Sequence, residues 1–380
     1  TTLLDALRKS SIGDTETGGI TQKIGGFTIK DKKEVKLTFI DTPGHAAFSS
    51  MRKTGSSASD INVIVIDAED GIMPQTKEAL EIAKQSQEED GMPFVVAITK
   101  IDRDSVDVQE CTKNIEGQLL ENGVTTESMG GDVQVVPLSA VSGKGLDDLI
   151  DAISLLADLL ELKSEPKAPA EGTILESSLE RGSGVVADLL VQWGTLKKND
   201  YIVIGEEWGK VKRIKDDHGK VLKHATAGIP VRITGLRGNP PSGEEFYVID
   251  GNERKCVDIT LHRAEMRRRG SLAERRLGMQ DEEFSNRRNK FKLKRVAQAE
   301  SAEEAKMQGE DNKGSGPRLT LMLQADSTGT LVALEKCFAE LVEEYKDKVD
   351  VRVLSAGTGD IAVTDIYAAS DSDAVIYGFN

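Results

Sequence analysis

Long apolar runs are absent: no stretch of the 380 residues approaches the roughly 18 uninterrupted apolar residues of a membrane-spanning helix. With 38% apolar residues, this predicts a soluble protein with no membrane partner. Cysteine is scarce. Cys111, Cys256 and Cys337 lie far apart, which excludes a disulfide framework and paired metal ligands and predicts reduced core thiols in a cytosol-like compartment. His218 and His224 have no Cys or carboxylate at ligand spacing, so they read as surface turn residues. Positive charge is also lacking overall, the net charge being −15, which disfavours broad neutralisation of a phosphate backbone. Its distribution is uneven. Between Arg263 and Arg295 the chain carries twelve Lys or Arg against five Asp or Glu, a pattern that fits either a nucleic-acid contact or a solvated helix laced with ion pairs.

What is present is organised around Asp41-Thr42-Pro43-Gly44-His45. The preceding run, Val35 to Ile40, reads as a buried strand that delivers Asp41 to its carboxyl end, where open α/β sheets bind ligands. Pro43 and Gly44 break the strand so that a backbone N–H can approach a phosphate, with His45 just beyond. Asp-x-x-Gly alone is a common strand end and turn. Three further apolar runs follow: Ile61 to Ile66 ending at Asp67, Pro93 to Ile98 ending in Thr99-Lys100-Ile101-Asp102, and Val133 to Leu138 ending in Ser139-Ala140.

This order and spacing resembles the translational GTPases. Gly18-Gly19-Ile20-Thr21-Gln22 together with Asp41 to His45 narrows the resemblance to the bacterial-type translation initiation factor two family, and the likeness runs almost end to end. The resemblance implies GTP and GDP as ligands, with Mg²⁺ held by Thr1, Thr21 and Asp41. Gly44 N–H would meet the γ-phosphate, and His45 would orient the attacking water when the ribosome orders the loop through Arg52. Thr21 would also sense the γ-phosphate from a first switch loop within Ser10 to Gly26. In the family a phosphate loop, Gly-x-x-x-x-Gly-Lys-Thr, precedes the first helix, so the GTPase domain is expected to be N-terminally truncated at Thr1.

Guanine is expected at Thr99, Lys100 and Asp102, with Ser139 and Ala140 supplying backbone N–H. The Asp102 carboxylate can accept two N–H bonds from guanine, and the Lys100 stem can cover the base. The family has Asn where this chain has Thr99, and Lys where it has Val141; the first departure bears on nucleotide affinity more than on base identity.

The fold expected is multidomain, α/β and β: a truncated P-loop GTPase domain at 1–163, a Pro-containing linker at 164–170 and a β-barrel at 171–252. A long linking helix at 253–308, a flexible joint at 309–317 and a small α/β third domain at 318–380 complete it. Leu179 to Ala187 and Val191 to Leu196 match the initiation-factor barrel, and Gly378-Phe379-Asn380 matches the end of its third domain. Ser355 to Gly359 lacks a following Lys and reads as a plain turn. By resemblance the function is GTP-dependent initiator tRNA binding to the small ribosomal subunit and subunit joining, with hydrolysis on the ribosome. The partners implied are both ribosomal subunits and their RNA, and initiator formylmethionyl-tRNA through a further C-terminal domain; a monomer is expected. The compartment would be a bacterial cytoplasm, a mitochondrial matrix or a plastid stroma. Two other readings stay open: a nucleotide-independent ribosome-binding module, and an elongation-type GTPase that delivers aminoacyl-tRNA.

Overall fold

The computed structural model describes residues 2–8, 21, 23–30, 36–103, 106–180, 182–269, 318–345 and 349–379. The expectations for Thr1, for Gly18, Gly19 and Gln22, for the helix beyond 269 and for the joint at 309–317 lie outside them.

The first unit begins with helix α1 (Thr2–Arg8) and the antiparallel pair β1 (Gly25–Lys30) and β2 (Lys36–Asp41). Phe27 and Phe39 face each other across that pair with rings stacked 5.7 Å apart. Then come α2 (Ser49–Ala58), β3 (Asn62–Asp67), α3 (Pro74–Asp90), β4 (Phe94–Thr99), α4 (Val108–Glu121), β5 (Gln134–Pro137) and α5 (Leu146–Leu160). Strands β3, β4 and β5 form a parallel sheet in that order. A central parallel strand is covered on both faces, which is why β4 is apolar from Phe94 to Ile98. One face packs Ile64, Ile66 and Ile98 against Leu80 and Ala83 of α3 and Ile115 and Leu119 of α4. The other packs Val95, Ala97 and Val136 on Leu149 and Ile153 of α5, joined by Leu37 and Phe39 of β2.

The second unit comprises β6 (Glu171–Glu180), β7 (Gly184–Trp193), β8 (Thr195–Lys197), β9 (Tyr201–Ile204), β10 (Glu207–Lys215), β11 (Val221–Leu222), β12 (His224–Thr226), β13 (Pro230–Leu236) and β14 (Glu245–Val248). Pairing runs β10, β13, β7, β6, β14, β9 and returns to β10, so six strands close a barrel and abolish its edges. Phe246, Ile174, Leu189 and Ile233 fill the interior. Helix α6, residues 253–269, leaves the barrel with Cys256 buried beside Trp208 and Val203.

The third unit holds β15 (Arg318–Ala325), α7 (Thr328–Tyr345), β16 (Asp350–Thr358), α8 (Val363–Asp371) and β17 (Ala374–Phe379) around a parallel sheet ordered β16, β15, β17. The turn expected at Ser355 to Gly359 is instead mostly strand. Its backbone has partners, because Ser355 to Thr358 pair in register with Met322 to Ala325.

Helix α2 lies where the three units meet. Met51 and Ala58 share a cluster with Leu175 and Leu190 of the barrel. From the third unit, Lys336 Nζ donates to Ser49 Oγ at 2.6 Å, and Gly329 lies so close that a Cβ there would stand 2.5 Å from Met51 Cε. Beside this junction, the Ser177 and Thr328 hydroxyls are 3.2 Å apart, and Lys23 pairs with Asp326 at 2.6 Å.

Glu176 is buried at the same junction, 6% exposed, with Oε1 lacking a hydrogen-bond partner among the described residues. Burial pushes its carboxyl up to about 7, with Ser327 and Lys23 opposing the rise and Asp188 and Asp326 adding to it. The group therefore keeps in the fold a proton that the unfolded chain releases above about pH 4.5. Its contribution is favourable at low pH and is lost as pH rises through about 7, by on the order of 3 kcal/mol in all. Glu176→Gln should consequently stabilise the chain at pH 8 and leave it nearly unchanged below pH 5. Paired denaturation curves at the two pH values check this, and an equal shift at both contradicts it.

Candidate functional site

Each of the described residues expected to bear ligands in the first unit sits at or just past the carboxyl end of a strand, apart from Thr21. Asp41 closes β2, and Thr21 Oγ1 donates to its Oδ2 at 3.0 Å, so two oxygens twenty residues apart converge. Burial raises the Asp41 carboxyl above its ordinary value, while the hydroxyl of Thr21 and the N–H of Thr42 oppose the rise. A buried carboxylate of this kind gains from a nearby cation.

After Asp41 the chain turns outward. Pro43 is buried, whereas Gly44 and His45 are exposed. His45 caps a short 3₁₀ turn, Ala46–Phe48, by accepting from Ala47 N through Nδ1 at 3.2 Å. In a neutral ring this acceptor role places the proton on Nε2. Arg52, one turn into α2, donates through Nη1 to Pro43 O at 3.0 Å and His45 O at 2.7 Å. Its Nη2 donates to Glu78 Oε2 of α3 at 2.8 Å.

The three parallel strands deliver the other candidates. Asp67 of β3 and Thr99 of β4 are register partners, and Thr99 Oγ1 donates to Ile66 O at 3.2 Å. Lys100 adopts φ 63°, uncommon for a residue with a side chain, and its ammonium pairs with Asp67 Oδ2. Ile101 is buried and Asp102 is exposed just beyond it, so the apolar anchor holds the carboxylate at the surface. From β5, Leu138 N donates to Ile98 O at 2.7 Å, bringing Ser139 alongside the Thr99 loop. Ser139 is fully buried, and its Oγ accepts from Ser142 N at 3.1 Å. Its N–H donates to Lys144 O at 2.8 Å, a closure that depends on Gly145. Gly145 has φ 77°, and a Cβ there would lie 2.4 Å from Pro137 O. Ala140 is half-buried and Val141 is 81% exposed.

The structure thus brings Thr21 to Asp41 and Lys100 to Asp67, and gathers Thr99, Asp102 and Ser139 at the ends of adjacent strands. Sequence reading missed Glu78 and the Asp67 pairing with Lys100. No local pattern announces either, because the partners lie 26 and 33 residues apart. The described arginines of the basic segment are engaged within the chain: Arg263 donates to Gly205 O, Arg267 meets Glu206 and Glu244, and Arg269 pairs with Glu265. The Arg267 and Arg269 side chains nevertheless remain largely exposed. Among the described residues no group of three His, Cys, Asp or Glu forms a metal cluster, and no helix is long and apolar enough to cross a membrane.

Three family models match successive parts of the chain: the elongation factor Tu GTP binding domain at residues 7–158, elongation factor G domain 2 at 169–249, and translation-initiation factor 2 at 293–380. Along its whole length the chain is 40% identical to translation initiation factor IF-2 of Ruthia magnifica subsp. Calyptogena magnifica, covering 42% of that protein. It is also 40% identical to the protein of the same name from Stenotrophomonas maltophilia (strain R551-3), covering 39% of it. The chain belongs to the bacterial-type translation initiation factor 2 family. Its first unit matches the GTP binding domain, followed by the closed barrel and the small α/β unit. The chain spans about two-fifths of the length of these relatives. Among solved structures, GDP-bound aIF5B from Aeropyrum pernix matches with a TM-score of 0.56 and 25% identity, covering 100% of this chain and 66% of that one. A bacterial selenocysteine-specific elongation factor matches with a TM-score of 0.52 and 25% identity, over 65% of this chain and 42% of that one. The likeness to initiation-type factors thus extends beyond the GTPase domain and barrel.

Proposed function

We propose that the whole protein containing this chain is a translation initiation GTPase, which binds GTP and Mg²⁺ in its first unit and hydrolyses GTP on the ribosome. The observation that carries this reading is the 3.0 Å approach of the Thr21 hydroxyl to the Asp41 carboxylate at the end of β2. Hard oxygen donors of this kind suit Mg²⁺, which is commonly held by one or two carboxylates together with substrate phosphates. Thr21 and Asp41, with Thr1 outside the described residues, would hold the ion. When bound, Mg²⁺ neutralises charge on the phosphate oxygens.

The chain's own groups do the rest. Gly44 presents its N–H to the terminal phosphate with no side chain intervening, and His45 orients water beside it. Thr99, Lys100 and Asp102 hold the guanine, with the Ala140 N–H completing the base site, because the Ser139 N–H is already committed to Lys144 O. Positioning and electrostatics supply the rate, and no covalent intermediate is needed. In this account residues 1–163 form the GTPase domain, 171–252 the barrel and 318–380 the third domain, with the linker at 164–170 between the first two.

The partners are the two ribosomal subunits and initiator formylmethionyl-tRNA. The test is retention of labelled initiator tRNA on small subunits in the presence of the whole protein with GTP, beside the same assay with an elongator aminoacyl-tRNA. GTP-dependent retention of the initiator alone supports the reading. Equal retention of both tRNAs, or retention indifferent to nucleotide, contradicts it.

Thr99 provides a second check. Its hydroxyl is committed to Ile66 O between two strands, whereas an Asn amide reaches further toward the base and the neighbouring loop. Thr99→Asn should tighten GTP and GDP together, by about 1 kcal/mol if one hydrogen bond is added. Calorimetric titration with both nucleotides reads this, and a gain confined to GTP contradicts the placement at the base.

A further inference from the structure

Arg52 is 9% exposed, and a guanidinium so buried is costly unless its donors are used. Three hydrogen bonds use them, two to the carbonyls of Pro43 and His45 and one to Glu78, while Nε has no partner among the described residues. Beside the His45 cap on Ala47 N and the Thr42 methyl against Gly55 of α2, these bonds are what hold the carbonyls of the loop. Pro43 has no N–H to donate, and a Cβ at Gly44 would meet nothing within 4 Å. His45 O otherwise accepts only from Phe48 N at 3.0 Å among the described residues.

Peptide geometry makes this clamp directional. Pro43 C=O and Gly44 N–H belong to one planar trans unit and point in opposite directions. Drawing Pro43 O onto the Arg52 guanidinium therefore aims Gly44 N–H away from that guanidinium, and a flip of that plane would break a charge-assisted bond. The bond to His45 O fixes the next turn of the loop in the same way and anchors the backbone that carries the imidazole. Glu78 makes the clamp rigid, because α3 packs Leu80 and Ala83 on Ile64 and Ile66 of the sheet.

We propose that Arg52, held by Glu78, is the positioning residue that aims Gly44 N–H and His45 for hydrolysis. The inference rests on the GTPase reading above. Only a planar fork spans two carbonyls and a carboxylate at once, so Lys is an incomplete substitute. The probe is the whole protein as wild type, Arg52→Ala, Arg52→Lys, Glu78→Gln and the Arg52→Ala/Glu78→Gln double variant. Single-turnover GTP hydrolysis on ribosomes is measured for each, beside GTP and GDP affinities.

Arg52→Ala should lower the cleavage rate about 10- to 100-fold, the scale of a displaced catalytic group, and keep GDP affinity within about twofold. Arg52→Lys should recover part of the rate, Glu78→Gln should lose less than Arg52→Ala, and the double variant should be no worse than Arg52→Ala alone. A wild-type rate in Arg52→Ala overturns the proposal. So does equal weakening of GTP and GDP, which marks a merely structural arginine, or fully additive losses in the double variant. Wild-type protein that binds GTP without cleaving it on ribosomes overturns the GTPase reading, and the inference falls with it.

Discussion

Replacing His45 with Ala in the whole protein should leave GTP affinity at the wild-type level and lower ribosome-stimulated hydrolysis on the order of 100- to 1,000-fold, as when a preorganised polar group is removed from a reacting centre. The geometry makes this separation sharp. The imidazole is exposed, and its hydrogen bond is the local cap to Ala47 N, so its removal leaves no buried partner stranded. The loop keeps its shape, since Arg52 grips the backbone carbonyls of Pro43 and His45, which alanine preserves. A lost cap of this kind costs roughly 1 kcal/mol or less, confined to the 3₁₀ turn. Rapid-mixing hydrolysis assays on ribosomes, run beside equilibrium GTP titrations, check the outcome. A parallel loss of affinity and rate would make His45 structural.

Asp102→Asn should lower GTP affinity roughly 100-fold or more and relax the preference for guanine. A carboxylate accepts both N–H groups on the guanine edge, whereas the amide offers only one acceptor and sets an NH₂ group against the second donor. Sites built around a substrate's hydrogen bonds discriminate strongly because the mismatch leaves polar groups unpaired. The substitution should recover affinity for a nucleotide whose base carries a carbonyl where guanine carries its amino group. Folding should be unaffected, because Asp102 is exposed and buried Ile101 holds the loop. Competition titrations with GTP, xanthosine triphosphate and ATP decide it; unchanged GTP affinity would remove Asp102 from the base site.

Much of the scaffold was legible because burial leaves a periodic trace. Phe94 to Ile98 reads as a doubly covered strand, and Tyr201–Ile204 appears in the barrel at the expected residues. Asp41 could be placed because an apolar run and a Pro-Gly break bracket it. That run, expected as a buried strand of the open sheet, is only part-buried and pairs antiparallel with β1 outside the parallel sheet. The Ser355 to Gly359 segment misled, since small polar residues and glycine read as a turn until a neighbouring strand supplies hydrogen bonds. The clamp of Arg52 on Glu78 and the Lys100 pairing with Asp67 are tertiary, joining side chains that only the packed sheet brings together. Glu176 shows the same limit. Ser327 and Asp326, which act on its carboxyl, come from the third unit, more than 140 residues away in sequence.

If the loop from Asp41 to Arg52 is a hydrolytic device triggered by the ribosome, GTP cleavage must depend on the ribosome. The most direct measurement is the single-turnover rate of GTP cleavage by the whole protein, alone and then with both ribosomal subunits at saturating concentration. The arrangement of an exposed His45 on a clamped backbone predicts slow cleavage alone and acceleration by several orders of magnitude on assembled ribosomes. A rate that is the same with and without ribosomes would contradict it.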